Sequence, residues 1–188
     1  IIDNYKNEFF ILMSKQKEIG LNPKDGLYGS LRNSVHQIQD LAKQSKDYRL
    51  LSAVYDLRKQ EKDFMLRRDM NYVKKFEQKI ASLLSTMTGN TNTNVRIKHL
   101  ESYRKDFWAL VEAEVEIGLT SKLGLQGNMR KIVHKSEALL KNLAKEFELI
   151  IKDEISFMRT LSLLIAGFIM LLVIVIAYFL SRNIIKSI

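Results

Sequence analysis

The chain has 188 residues, 46% of them hydrophobic and 27% charged, with one proline, eight glycines and no cysteine. That composition excludes a disordered chain, a collagen-like or loop-dominated fold, a disulfide scaffold and any thiolate metal site or cysteine nucleophile. The net charge of +9, from 30 Lys and Arg against 21 Asp and Glu, suits an anionic surface, ligand or nucleic acid.

Tyr5, Phe9, Leu12 and Ile19 recur at helical spacing and predict a first helix over 1–20, closed by Gly20. A short turn, 20–26, leads into a predicted helix of about 40 residues, 27–67, whose stripe opens with Leu31, Val35, Ile38 and Ala42. A third helix is expected over 71–88. The polar run from Thr88 to Asn94 has no periodicity and should break the helix. A fourth helix, 94–118, carries Tyr103, Phe107, Leu110 and Ile117, and a fifth covers 125–183. Tyr5, Phe9, Tyr103, Phe107 and Trp108 are expected as core aromatics.

Inside the last helix, Leu161 to Leu180 is a run of twenty uncharged residues. A helix of about 20 residues rises about 30 Å, the thickness of the bilayer hydrocarbon core. A transmembrane helix over 159–181 is therefore expected, and the membrane displaces nucleic acid as the anionic partner. Arg182 and Lys186 follow the span closely, which places the C-terminal end in the cytoplasm and residues 1–158 outside. The chain opens on Ile1-Ile2-Asp3 and is expected to be a piece of a larger membrane protein.

Residues 5–36 align without a gap onto 103–134, at a constant offset of 98 and with fourteen identities. Glu18-Ile19-Gly20-Leu21 meets Glu116-Ile117-Gly118-Leu119, and Gly26, Gly29, Arg32 and His36 meet Gly124, Gly127, Arg130 and His134. Each copy is expected to be a helical hairpin. With both copies pointing the same way, 1–20 rises, 27–67 descends to the bilayer, 71–118 rises in two pieces and 125–183 descends and crosses. The fold class expected is all-α: an up-down bundle of two stacked four-helix modules with its N-terminal part missing, plus one transmembrane helix.

The segment Leu57-Arg58-Lys59-Gln60-Glu61-Lys62-Asp63-Phe64-Met65-Leu66-Arg67-Arg68-Asp69, followed by Tyr72-Val73 and Phe76, resembles the RRxEKDFLLRxDxxYVxxF signature of bacterial chemoreceptor sensor domains. Together with the flanking repeats it is most similar to the helical bimodular sensor family of methyl-accepting chemotaxis proteins. The tail from Ser181 to Ile188 resembles the start of a HAMP linker. The resemblance implies a periplasmic sensor of two stacked helical bundles, 1–158, in the bacterial inner membrane, with small organic acids as ligands. Lys59 departs from the family's arginine pair, and lysine is a poorer bidentate donor.

Arg58, Lys62 and Arg67 on the signature helix are candidates to grip a carboxylate between helices. The alternative is an internal network pairing Arg58 with Glu61 and Asp63 with Arg67. Arg32 and Arg130, equivalent in the repeat, should approach one another and either bind an anion or pair with Glu18 or Glu116. Arg68, Arg159 and Arg182 are expected at the membrane interface, with Arg68 exposed and Arg67 partly buried near Tyr72. His36, His99 and His134 lack the company a metal site needs, and no motif of a catalytic centre is present. A non-enzymatic sensor is expected: no cofactor, no metal, no nucleic acid, a small-molecule ligand and a homodimer. The alternatives are a sensor module of a histidine kinase or cyclic-dinucleotide enzyme, and a non-sensing stalk that docks a protein.

Overall fold

The computed structural model describes residues 2–87 and 91–185, with the side chains of 91–92 and 179–185 left aside. Six helices and no strand occur among the described residues: α1 Ile2–Ile19, α2 Gly26–Gln44, α3 Tyr48–Arg67, α4 Met70–Ser85, α5 Thr91–Ile117 and α6 Gly124–Ile185. They divide into two units, 1–134 and 135–188.

The expected 40-residue strut is two helices. Its stripe runs through Leu31, Val35, Ile38 and Ala42, all buried, and then meets Lys46. A lysine cannot continue a buried stripe, and the flanking residues offer the backbone an exit. Ser45 caps α2 by bonding to Leu41 O, Lys46 turns left-handed at φ 53°, and Asp47 accepts from Leu50 N at 3.0 Å to start α3. The chain then folds back, so that Arg58 on α3 reaches Gln39 on α2.

The same reversal recurs between α3 and α4. Arg68 is left-handed at φ 52°, and the Asp69 side chain accepts from Asn71 N at 2.9 Å. Asp56 then pairs with Lys79 at 3.0 Å, and Glu77 on α4 takes Arg104 and Trp108 from α5. Helices α2 to α5 therefore form one up-down-up-down four-helix bundle with α3 and α5 parallel across its diagonal. The all-α bundle is as expected from the sequence, but two helix directions are corrected. α3 rises where a descending strut was expected, and α4 and α5 lie antiparallel rather than in series. Residues 88–90 of the expected break lie outside the described ones.

Of the two hairpins only the second gives aromatics to the core, where Tyr103 and Phe107 meet Phe64 of α3 and Phe76 of α4. Phe107 stacks edge-on to Phe64 with centroids 5.8 Å apart, and Phe76 does the same to Tyr103 at 5.2 Å. Trp108 is half-buried at the edge. Tyr5 and Phe9, expected in the core, are 40% and 39% exposed, whereas their repeat equivalents Tyr103 and Phe107 are fully buried. α3 and α4 cover α5, and nothing comparable covers α1 among the described residues.

The two hairpin turns are nearly superimposable in backbone conformation. Gly20 and Gly118 have φ of 119° and 116°, a region that L side chains avoid. At Gly29 and Gly127 an added Cβ would fall 2.2 and 2.3 Å from the carbonyl oxygens of Lys24 and Lys122, which no side chain tolerates. Lys15 on α1 reaches both Glu18 and its repeat equivalent Glu116, each at 2.8 Å, and so ties the first hairpin to the second.

In the second unit, residues 135–185 are one helix, the continuation of α6, whose described side chains are exposed almost throughout. It contains a stretch long and apolar enough to cross a membrane. Arg159 lies exposed in it, and the side chain of Arg182 is outside the described ones.

Candidate functional site

A cavity of about 240 Å³ opens between the turn after α1, the first half of α2 and the second half of α3. The antiparallel pairing of α2 with α3 makes it. Arg58 and Lys62, one helical turn apart on α3, face Leu31, Arg32 and Val35 on α2, and Leu21 and Pro23 of the turn form the rim. Three of the candidate cations, Arg32, Arg58 and Lys62, thus share one cavity, with Glu61 as the acid among its lining residues.

Glu61 is the best-held side chain of the site, 2% exposed. Its Oε2 accepts from the Tyr103 hydroxyl at 2.7 Å and its Oε1 lies 2.9 Å from Lys62 Nζ. Burial first, and the Glu61 charge second, push the Tyr103 hydroxyl well above its ordinary pKa, so it stays a donor. Arg58 donates to Gln39 Oε1 at 3.3 Å and does not reach Glu61 within ion-pair distance. The internal pair expected between Arg58 and Glu61 is therefore not formed, whereas Asp63 and Arg67 do pair, at 3.5 Å. Arg32 is exposed at the mouth. Neither Arg32 nor Arg58 has an ion-pair partner among the described residues.

The other candidates lie elsewhere. Arg67 is exposed, with its guanidinium 5.8 Å from the centre of the Tyr72 ring. Arg68, expected exposed at lipid headgroups, is half-buried: its guanidinium lies 3.0 Å from Glu114 and donates to Gly118 O at 3.4 Å. The exposures of the two arginines are the reverse of those expected, because α3 rises toward the hairpin turn instead of descending. Arg130 does not join Arg32; it donates to His134 and Ser121. Glu18 and Glu116, expected to serve the two arginines, are taken by Lys15. Among the described residues no group of three or more His, Asp or Glu could hold a metal ion.

Two residues that the sequence did not flag complete the surroundings. Tyr28 lines the cavity and donates to Glu114 Oε1 at 3.0 Å. Burial, aided by Glu114, pushes its hydroxyl up to about 12. Glu114 is itself buried and carries both Tyr28 and Arg68. The signal was present: Glu114 interrupts Leu110 and Ile117, and Glu61 interrupts Leu57 and Phe64, each an acid on an apolar stripe. Such an acid must find partners across the bundle.

Chemically the cavity offers two arginines without an acidic partner, Arg32 and Arg58, beside the Lys62–Glu61 pair, a small volume and a partly apolar wall. It holds no arrangement of nucleophile and base. Comparison with protein families, with characterised proteins and with solved structures returns no match, so the site stands on its own geometry.

Proposed function

We propose that this chain is the ligand-sensing and membrane-anchoring part of a bacterial transmembrane receptor, most simply a chemoreceptor, which detects a small anionic organic solute outside the cell. The observation that carries this reading is the cavity of about 240 Å³ with Arg32, Arg58 and Lys62 around the saturated Glu61. Cavities for drug-sized ligands run from about 300 to 1,000 Å³, so a smaller solute fits. The charge-assisted bonds that an arginine makes to a carboxylate would supply the specificity.

A route from the cavity to α6 supports a signalling role. Tyr28 on the cavity wall holds Glu114, Glu114 holds Arg68, and Arg68 holds the carbonyl of Gly118, which opens the turn into α6. A ligand that prefers one arrangement of α2 and α3 would bias that chain of contacts. The resemblance of the Glu61-Lys62-Asp63-Phe64 segment to chemoreceptors favours a chemotaxis output over a kinase or a cyclic-dinucleotide enzyme. Docking of a second copy is the other reading, favoured by the exposed Tyr5, Phe9 and Phe10 edge of α1.

The test is isothermal titration of the full chain in lipid nanodiscs against a panel of small organic acids. Binding is expected, with a loss of at least tenfold in affinity for Arg58→Gln while far-UV circular dichroism is unchanged. Absence of binding by every anion of the panel would refute the sensing role.

A further inference from the structure

We infer that Gln39 is the positioning residue of the cavity: a neutral amide that holds the Arg58 guanidinium in place and leaves its charge free for an anion. The inference rests on the sensing reading above and names what keeps that site ready. Gln39 lies on α2 beside Ile38 of the core stripe and is buried, at 4% exposure. A buried amide is normally hydrogen-bonded. Its Oε1 accepts from Arg58 Nη1 at 3.3 Å, across the contact between α2 and α3. Arg58 lines the cavity, and Gln39 stands behind it.

Every acid of α2 and α3 is taken by another cation. Asp40 pairs with Lys43 at 3.8 Å, Asp56 with Lys79 at 3.0 Å, Glu61 with Lys62 at 2.9 Å and Asp63 with Arg67 at 3.5 Å. Arg58, between Asp56 and Glu61 in the chain, meets an amide instead. The chemistry of that partner decides what the arginine can do. A carboxylate in the same place would hold the guanidinium and also neutralise it, so an incoming anion would have to compete with it. An apolar side chain would leave the charge free but the guanidinium unordered, and the cost of ordering it would fall on binding. An amide oxygen avoids both outcomes. It accepts one N–H, carries no charge, and leaves the other guanidinium donors for a ligand.

The experiment titrates the full chain in nanodiscs with acetate, malonate, succinate and citrate, and follows folding by far-UV circular dichroism. Gln39→Glu is expected to weaken the tightest of these anions by about tenfold or more, the scale of one charge-assisted hydrogen bond. Gln39→Leu, which removes the tether without adding a charge, is expected to weaken it by about threefold. A residue that only filled the core would leave the affinity of the folded protein unchanged in both variants, and that result overturns the inference. A loss in Gln39→Leu equal to or larger than that in Gln39→Glu overturns it too, because the neutrality of the amide would then not matter. Should Gln39→Glu fail to fold, unchanged affinity in Gln39→Leu alone overturns it. In each of these cases the wild-type chain still binds, and an anion sensor is left standing. If none of the four anions binds the folded wild-type chain, the sensing reading falls and the inference with it.

Discussion

Two acids on apolar stripes organise the bundle at the scale of single residues. Glu61 and Glu114 each stand where a leucine would ordinarily be, and each is held by a tyrosine from another helix, Tyr103 from across the diagonal and Tyr28 from the adjacent α2. A buried carboxylate is tolerated only with its partners, so the tyrosine hydroxyls stabilise more than an ordinary surface hydrogen bond would. Tyr103→Phe removes one of the two partners of Glu61 without changing ring volume. It is expected to lower unfolding stability by about 2 kcal/mol, the scale for a lost hydrogen bond to a charged group. Urea unfolding followed by circular dichroism measures it. That Arg58 and Lys62 share a cavity was legible because their i,i+4 spacing on one helix puts them on one face. Arg67 was not separable from them by spacing, since which turn of α3 meets the cavity depends on where α2 doubles back.

That doubling back is the main event at the scale of elements. The helical segments were legible from periodicity, with α2 and α3 read as one, and the boundary at Arg67–Asp69 was legible too. The break at 45–47 was not, because Ser45, Lys46 and Asp47 include neither glycine nor proline, and only Lys46 interrupts the stripe. Without that break α3 and α4 take the wrong direction, and Arg68 falls at the lipid surface, while α5 and α6 keep the directions expected. Lys46 sits at φ 53° with no side-chain bond of its own among the described contacts. A left-handed conformation costs an L residue about 1–2 kcal/mol that glycine escapes. Lys46→Gly is therefore expected to stabilise the chain by about 1 kcal/mol, less the entropy that glycine adds to the unfolded state. A higher urea midpoint at unchanged slope is the expected result.

For the whole molecule, the all-α class and the apolar stretch of α6 were legible from composition and pattern alone, because neither depends on how helices pack. The exposed apolar residues from Leu161 to Val175 make α6 long and apolar enough to cross a membrane. Leu171→Arg places a charge near the middle of that stretch, where insertion is disfavoured by about 2.5–3.5 kcal/mol. The variant is expected to shift from the membrane fraction toward carbonate-extractable or aggregated protein, whereas Leu140→Arg, in the unit's other half, is expected to stay in the membrane. The repeat, by contrast, misled as much as it informed. It foretold the two glycine turns, yet its implied symmetry put Tyr5 and Phe9 in a core where only Tyr103 and Phe107 belong.

The shared lysine carries that asymmetry further. Lys15 neutralises an acid from each copy, and the place where the second copy would carry its own lysine is filled by Ala113, buried in the core. A lysine there would be enclosed by apolar side chains, so the arrangement cannot be exchanged between the copies. The two hairpins have ceased to be interchangeable parts: one keeps the counter-ion and the other keeps the packing. Lifted out of the chain, the second hairpin would leave Glu116 without its lysine, and the first would leave its aromatic edge in water. What began as the same piece twice now works as a mated pair.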